Sequence, residues 1–184
     1  MSAVPIDLRR LLPEHAPIYR EIRLEALINS PDAFSSTFEA EKDRPLDGFA
    51  ARLTDAFVLG AFSESQLVGI AGFYVQPGPK HRHKGMLWGM YVRPQHRAAG
   101  VGRMLVDAII RHARQHVELL QLFVISENAP ARRLYSRLGF VEYGIERHAT
   151  KYQGQYHDEV LMALPLVVET STAVIREPTE DVPA

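Results

Sequence analysis

Cysteine is absent from the 184 residues, which excludes disulfide stapling, thiolate zinc ligation and a cysteine nucleophile. Neither sign of charge dominates: 21 Lys and Arg stand against 22 Asp and Glu, a formal net charge of -1. The total therefore predicts no nucleic-acid partner and no attraction to an anionic membrane. No apolar run is long enough for a transmembrane helix, so no membrane partner is expected. Met1 to Leu12 places Asp7, Arg9 and Arg10 among its apolar residues and lacks the continuous apolar stretch of a secretory signal. The expectation is a soluble, cytoplasmic protein. Internal repeats and low-complexity blocks are missing, and so is the Gly-Lys-Ser/Thr of a P-loop. What remains is an ordinary globular composition, 46% hydrophobic and 23% charged, enough for one substantial core. It is read as one domain over residues 1–165, followed by a peripheral tail over 166–184 in which Val, Thr, Glu and Pro follow no clear period.

Hydrophobic periodicity orders the elements. Ile18, Ile22, Glu25 and Ala26 fall at helical spacing, with Leu24, Leu27 and Ile28 widening the apolar face, and Ser30-Pro31-Asp32 stops the helix. A shorter helical stretch is predicted between Glu39 and Leu53, broken at Arg44-Pro45. The apolar runs Phe57–Phe62 and Leu67–Val75, joined by Ser63-Glu64-Ser65-Gln66, predict an antiparallel hairpin. Met86–Val92 predicts a third strand ending before Pro94. From Gly100 to His116, Val101, Leu105, Ala108, Ile109 and Ala113 repeat with the helical period. Leu120–Ile125 reads as a buried strand, and Asn128 with Pro130 opens a helix that runs to Leu138 and stops at Gly139. Phe140–Tyr143 and Glu159–Leu164 are the last strand candidates, on either side of a polar turn at Gln153-Gly154-Gln155. The class is mixed α+β or α/β.

One succession carries chemistry. A strand, a short loop and a helix put the helix's first free N–H groups and the positive end of its dipole at the loop mouth, where a pyrophosphate fits. In Arg97-Ala98-Ala99-Gly100-Val101-Gly102 the glycines let oxygen approach the main chain, while Arg97 and Arg103 can add charged hydrogen bonds. Two glycines alone favour a plain glycine-rich helix start. The wider context, Met90-Tyr91-Val92-Arg93-Pro94-Gln95-His96 followed by that loop and an amphipathic helix, resembles the acetyl-CoA signature of the GNAT superfamily of N-acetyltransferases. Its pattern Gln/Arg-x-x-Gly-x-Gly/Ala is met without a gap. Ile125-Ser126-Glu127-Asn128-Ala129-Pro130 through Tyr135 to Phe140 resembles that family's second conserved stretch.

The resemblance implies a central, mostly antiparallel twisted sheet of six to seven strands flanked by about four helices. It also implies acetyl-CoA as cosubstrate, with no metal. Met90, Tyr91 and Val92 would meet the pantetheine arm and thioester through backbone N–H groups freed where two strands splay. Arg97, Ala98, Ala99, Gly100, Val101, Gly102 and Arg103 would hold the pyrophosphate. Asn128 would cap its helix or touch the cosubstrate. Tyr135 would be the general acid at the CoA sulfur, because a phenol with an ordinary pKa of about 10 stays protonated at neutral pH. A core tyrosine is the plain alternative for that position.

The base is not legible. Many relatives carry a glutamate on the strand before the loop, where this chain reads Gly85-Met86-Leu87-Trp88-Gly89-Met90; Glu25, His83 and Glu127 are candidates, each with an ordinary surface reading. His112 and His116, one turn apart, lack a third ligand and read as solvated histidines. His81-Arg82-His83-Lys84 reads as a solvated basic loop. For the acceptor, Phe34, Thr37, Phe38, Tyr74, Tyr152 and Tyr156 are expected wall residues. The expected reaction is acetyl transfer to the primary amine of a small molecule. A peptide N-terminus or lysine as acceptor, and a non-catalytic acyl-CoA sensor, are the rivals. The family also suggests a homodimer.

Overall fold

A computed structural model of the chain describes residues 5–97 and 99–166. The tail expected over 166–184 lies, but for Leu166, outside the described residues, as does the loop residue Ala98. Among the described residues, seven strands form one sheet in the order β1-β2-β3-β4-β5-β7-β6. They are β1 (Ile6–Arg10), β2 (Phe57–Ser63), β3 (Gln66–Val75), β4 (Lys84–Val92), β5 (Leu119–Ile125), β6 (Val141–Tyr152) and β7 (Gln155–Pro165). All neighbours are antiparallel except β4 and β5. Five α-helices flank it among the described residues: α1 (Ala16–Asn29), α2 (Phe38–Glu41), α3 (Leu46–Asp55), α4 (Val101–Ala113) and α5 (Ala129–Arg137). The mixed, mostly antiparallel class read from the sequence is the one observed. The fifth helix is the single turn α2, which Thr37 caps by accepting from Ala40 N at 3.2 Å.

Two strand readings need correction. β1 was read only as an unsuitable signal segment, yet Ile6 and Leu8 alternate with solvent-facing Asp7 and Arg9 and pack against the core, as an edge strand should. β6 and β7 extend to a tight turn at Gln153-Gly154, both residues with positive φ. Their outer halves are polar and exposed, so no apolar run announces them.

The sheet divides two cores. On one face α4 buries Val101, Leu105, Val106, Ile109, Ile110 and Ala113 against Leu120, Leu122, Val124, Val160 and Met162. Each such aliphatic side chain contributes roughly 1.5–3 kcal/mol by leaving water. On the other face α1 and α3 bury Tyr19, Ile22, Ala26, Phe49 and Leu53 against Val58, Phe62, Leu67, Ile70 and Tyr91. This second cover stops short of β5, β7 and β6, where Phe123, Val141 and Tyr143 are exposed. No helix among the described residues is long and apolar enough to cross a membrane.

Candidate active site

The site begins with a fault in β4. Trp88 pairs with Gly72 and Tyr91 with Ile70, so Gly89 and Met90 together stand opposite Ala71. This is a β-bulge, and Gly89 carries the φ of +63° that such a bulge assigns to glycine. The bulged strand bends away from its other neighbour. β4 and β5 are paired only at Lys84/Leu119, Gly85/Leu120 and Met86/Gln121, and the register ends there. From Leu87 onward the two strands form an open wedge. The splay expected at Met90 to Val92 therefore starts three residues earlier, and among the described residues the backbone groups of β4 that would have met β5 have no partner strand.

The wedge leads to the loop. Pro94–His96 makes a 3-10 turn, and Arg97 Nε donates to Val92 O at 2.9 Å while its guanidinium lies 5.6 Å from the Tyr91 ring centre. Arg97 is thus partly committed to its own strand. Ala99 is exposed. Gly100 has φ +80° in the left-handed region, and an added Cβ there would meet nothing within 4 Å, so the backbone turn rather than crowding requires glycine. α4 starts at Val101 with no side-chain cap, leaving its first N–H groups at an open mouth. Val101 itself points into the core. Gly102 packs so closely that a Cβ would stand 2.9 Å from Met90 Cε and 3.4 Å from Leu134 Cδ2. The start of α4 therefore lies directly against the bulge and α5. Arg103 is exposed and 3.5 Å from Asp107 along the helix.

α5 is placed by its cap: Asn128 Oδ1 accepts from Ala131 N at 3.2 Å, the first of the two readings offered from sequence. Tyr135 follows two turns later, buried edge-on against Phe140 at 5.8 Å. Burial raises the phenol well above its ordinary value, so it is a neutral O–H at any physiological pH.

The opposite face is built by α1 to α3. Tyr91 Oη donates to Glu25 Oε1 at 3.1 Å and accepts from Asn29 Nδ2 at 3.1 Å. Arg93, buried, reaches Glu21 Oε1 at 2.7 Å. Its Nε lies 2.9 Å from Glu25 Oε2, a charge contact off the hydrogen-bond axis that leaves that N–H without an aligned acceptor. Deeper in, Arg23 and Arg52 converge on Glu41. Burial alone would raise the Glu41 carboxyl; hydrogen bonds and charge from Arg23, with help from Arg52 and Ser36, bring it down to about 2.

Beyond that cover, the exposed sheet face carries a chain of side chains. Gln76 Nε2 donates to Gln121 Oε1 at 3.1 Å, and Gln121 Nε2 to Tyr143 Oη at 2.9 Å. His157 on β7 approaches Asp32, in the 3-10 turn Pro31–Ala33, at 3.7 Å, closing one end.

Of the expected wall residues, Tyr74 is on this face and exposed. Phe34 lies under Arg23 at 4.9 Å. Thr37 is spent on capping, and Phe38 is in that capped turn. Tyr152 and Tyr156 occupy the far end of the hairpin, Tyr156 stacked on His148 at 4.6 Å. Of the base candidates, Glu25 is engaged by Tyr91 and Arg93, and His83 and Glu127 are exposed. His112 stacks on Phe57 at 3.6 Å and leans on His116 at 4.3 Å, a ring pile rather than a chelating pair. Three features escaped sequence reasoning: the bulge at Gly89, the buried Glu41 cluster, and two carboxylates on the open face, Glu146 and Glu159. Only Gly89 left a signal, a glycine inside an apolar strand.

The model of the acetyltransferase (GNAT) family matches residues 19–140. The chain is similar to the mycothiol acetyltransferase of Saccharomonospora viridis, 35% identical over 91 residues, covering 47% of this chain and 30% of that one. It is also similar to the [ribosomal protein bS18]-alanine N-acetyltransferase of Salmonella typhimurium, 36% identical over 81 residues, covering 44% and 55%. The match thus spans about a third to a half of those curated relatives. Among solved structures, a putative acetyltransferase, yncA, from Salmonella typhimurium with acetyl-CoA superposes with a TM-score of 0.78 at 23% identity, over 92% of this chain and 99% of that one.

Proposed function

Since this chain belongs to the acetyltransferase (GNAT) family, we propose that it moves an acetyl group from acetyl-CoA to a primary amine by direct attack on the thioester. The observation that carries this reading is the wedge: Gly89 bends β4 away from β5 toward the uncapped start of α4, against which α5, the helix that bears Tyr135, packs through Leu134. The residues fit the cosubstrate. The N–H groups of Gly100 to Arg103, with Arg103 and the free part of Arg97, would hold the pyrophosphate, and Ala98 and Ala99 complete that loop. The backbone of Met90, Tyr91 and Val92 would hold the pantetheine arm and polarise the thioester carbonyl. Tyr135 supplies a proton to the departing sulfur. Asn128 serves by fixing the helix that carries it.

The acceptor is the primary amine of a small molecule in this reading. Support comes from the half-covered face, closed at one end by Asp32 and His157, with Trp88 and Phe123 as apolar flanks and the Gln76–Gln121–Tyr143 chain as a polar one. A peptide N-terminus is the second reading, favoured by the likeness to the bS18-alanine enzyme. Thiol release from acetyl-CoA in the presence of alkylamines, polyamines, amino acids and an alanine-initiated peptide tests both. Release stimulated by a small amine supports the first reading and release stimulated only by peptide the second. Tight CoA binding without any stimulated release would leave a sensor and no transferase.

A further inference from the structure

Acetyl transfer to an amine that is protonated at neutral pH needs a proton acceptor, and β4 offers no carboxylate for it. The register of the last three strands shows where one stands. Glu159 on β7 is paired with Ile125 at the end of β5 and with Glu146 on β6. Residues two apart share a face, so Glu159 lies on the same side as Leu161 and its partner Phe123, the exposed side. That is the face opposite α4 and α5, whose core takes the alternate residues Val124, Val160 and Met162. Donor groups approach the wedge from the α4 and α5 side, which leaves this face for the acceptor.

We infer that Glu159 is the carboxylate that takes the proton from the acceptor ammonium, a role that rests on the transfer reading above. Along the strands, Ile125 is level with the part of β4 that bulges, so Glu159 is one strand beyond the open wedge. It reaches the incoming nitrogen directly or through one water. Its neighbours leave it free for this. Asp158, next in sequence, is occupied by Arg147 Nη1 and the His148 N–H, whereas among the described residues neither Glu159 nor Glu146 forms an ion pair. The groups facing Glu159 are Glu146 from β6, apolar Ile125 from β5, and, one pair along, His157 with Asp32. Burial first, and then the charge of Glu146, raise the Glu159 carboxyl above its ordinary value, which suits a base working near neutrality.

The step balances. Glu159 accepts one proton from R–NH3⁺, and the neutral amine attacks the thioester carbonyl. The C–N bond forms as the C–S bond breaks, and the leaving thiolate takes the Tyr135 proton. The second nitrogen proton restores Tyr135, and Glu159 releases its own to water.

The test compares the unsubstituted chain with Glu159→Gln, using the best amine of the panel above and methoxyamine, which is already neutral at pH 7. Glu159→Gln is expected to cut turnover of the protonated amine about 100-fold, to recover part of it as pH rises, and to lose far less with methoxyamine. Glu146→Gln should shift the acid limb of the kcat/KM profile to lower pH. Carbon NMR of the carboxyls should show Glu159 titrating above the ordinary glutamate value in the free chain and moving down in Glu146→Gln. Equal losses with both nucleophiles, or no loss, would overturn the role while leaving acetyl transfer intact. An unsubstituted chain that acetylates nothing would bring down the transfer reading and this role with it.

Discussion

Glu41 and Arg23 face each other as a fork inside the cap, with Arg23 Nη2 2.8 Å from Glu41 Oε1 and Arg23 Nε 3.2 Å from Glu41 Oε2. A charge so deeply buried is tolerated only because the second oxygen also receives Arg52 at 3.1 Å. Removing the carboxylate would strand two guanidinium groups, so Glu41→Gln is expected to cost on the order of 3 kcal/mol in a denaturant titration.

The same pair sets a pH dependence whose sign is fixed. The folded carboxyl is depressed to about 2, below its ordinary value of 4.5. The pair's contribution is therefore complete above about 4.5 and is lost as pH falls from there toward 2. The stability gap between the unsubstituted chain and Glu41→Gln should narrow over that window. A gap that stays constant with pH would show that Glu41 is not the charged partner.

Gly89 supports a prediction about the wedge. At φ +63° a Cβ costs roughly 1–2 kcal/mol, although nothing within 4 Å would collide with it. Gly89→Ala is relieved if β4 straightens, and a straight β4 can extend its pairing with β5 past Met86. Calorimetric titration with CoA should then show affinity falling at least tenfold, while the thermal midpoint drops by only a few degrees. Unchanged affinity would mean that the bulge does not govern the wedge.

The parts of this molecule that were legible in the sequence are those where burial forces a period. α4 announces itself because six of its thirteen residues enter the core on one stripe, and the hairpin of β2 and β3 because both strands are apolar over most of their length. β1 and the outer halves of β6 and β7 were lost because edge strands half in water carry mixed residues. The proposed donor loop was legible through a local motif, since a phosphate cradle would be made of consecutive backbone. The proposed acceptor face was not: Gln76, Gln121 and Tyr143 lie far apart in the chain and meet only through strand register. Glu146 and Glu159 are brought opposite each other in the same way, by a hairpin whose bulge at Arg147 to Ala149 no periodicity foretells.

Tyr91 joins β4 to the cap. Its hydroxyl gives to Glu25 and receives from Asn29, so α1 holds β4 one residue past the bulge. Tyr91→Phe removes both bonds and leaves Glu25 with Arg93 alone. The expected loss is about 1–2 kcal/mol of stability and a severalfold rise in KM for acetyl-CoA, with KM for the acceptor little changed. A rise in acceptor KM alone would place Tyr91 in the acceptor's grasp instead.

Tyr135 separates chemistry from packing. Its ring is buried against Phe140, so phenylalanine at 135 keeps the contact and removes only the hydroxyl. If that hydroxyl protonates the departing sulfur, Tyr135→Phe should lower kcat about 100-fold, with CoA affinity and thermal midpoint nearly unchanged. Burial also holds the phenol neutral far into the alkaline range. The kcat profile of the unsubstituted chain should therefore show no fall from Tyr135 ionisation up to pH 10. Replacing the thioester with an acyl donor whose leaving group needs no proton should restore much of the loss, because the departing atom then makes no demand on residue 135. Turnover that survives the substitution with thioester would make Tyr135 a core residue and send the search for the acid elsewhere in the wedge.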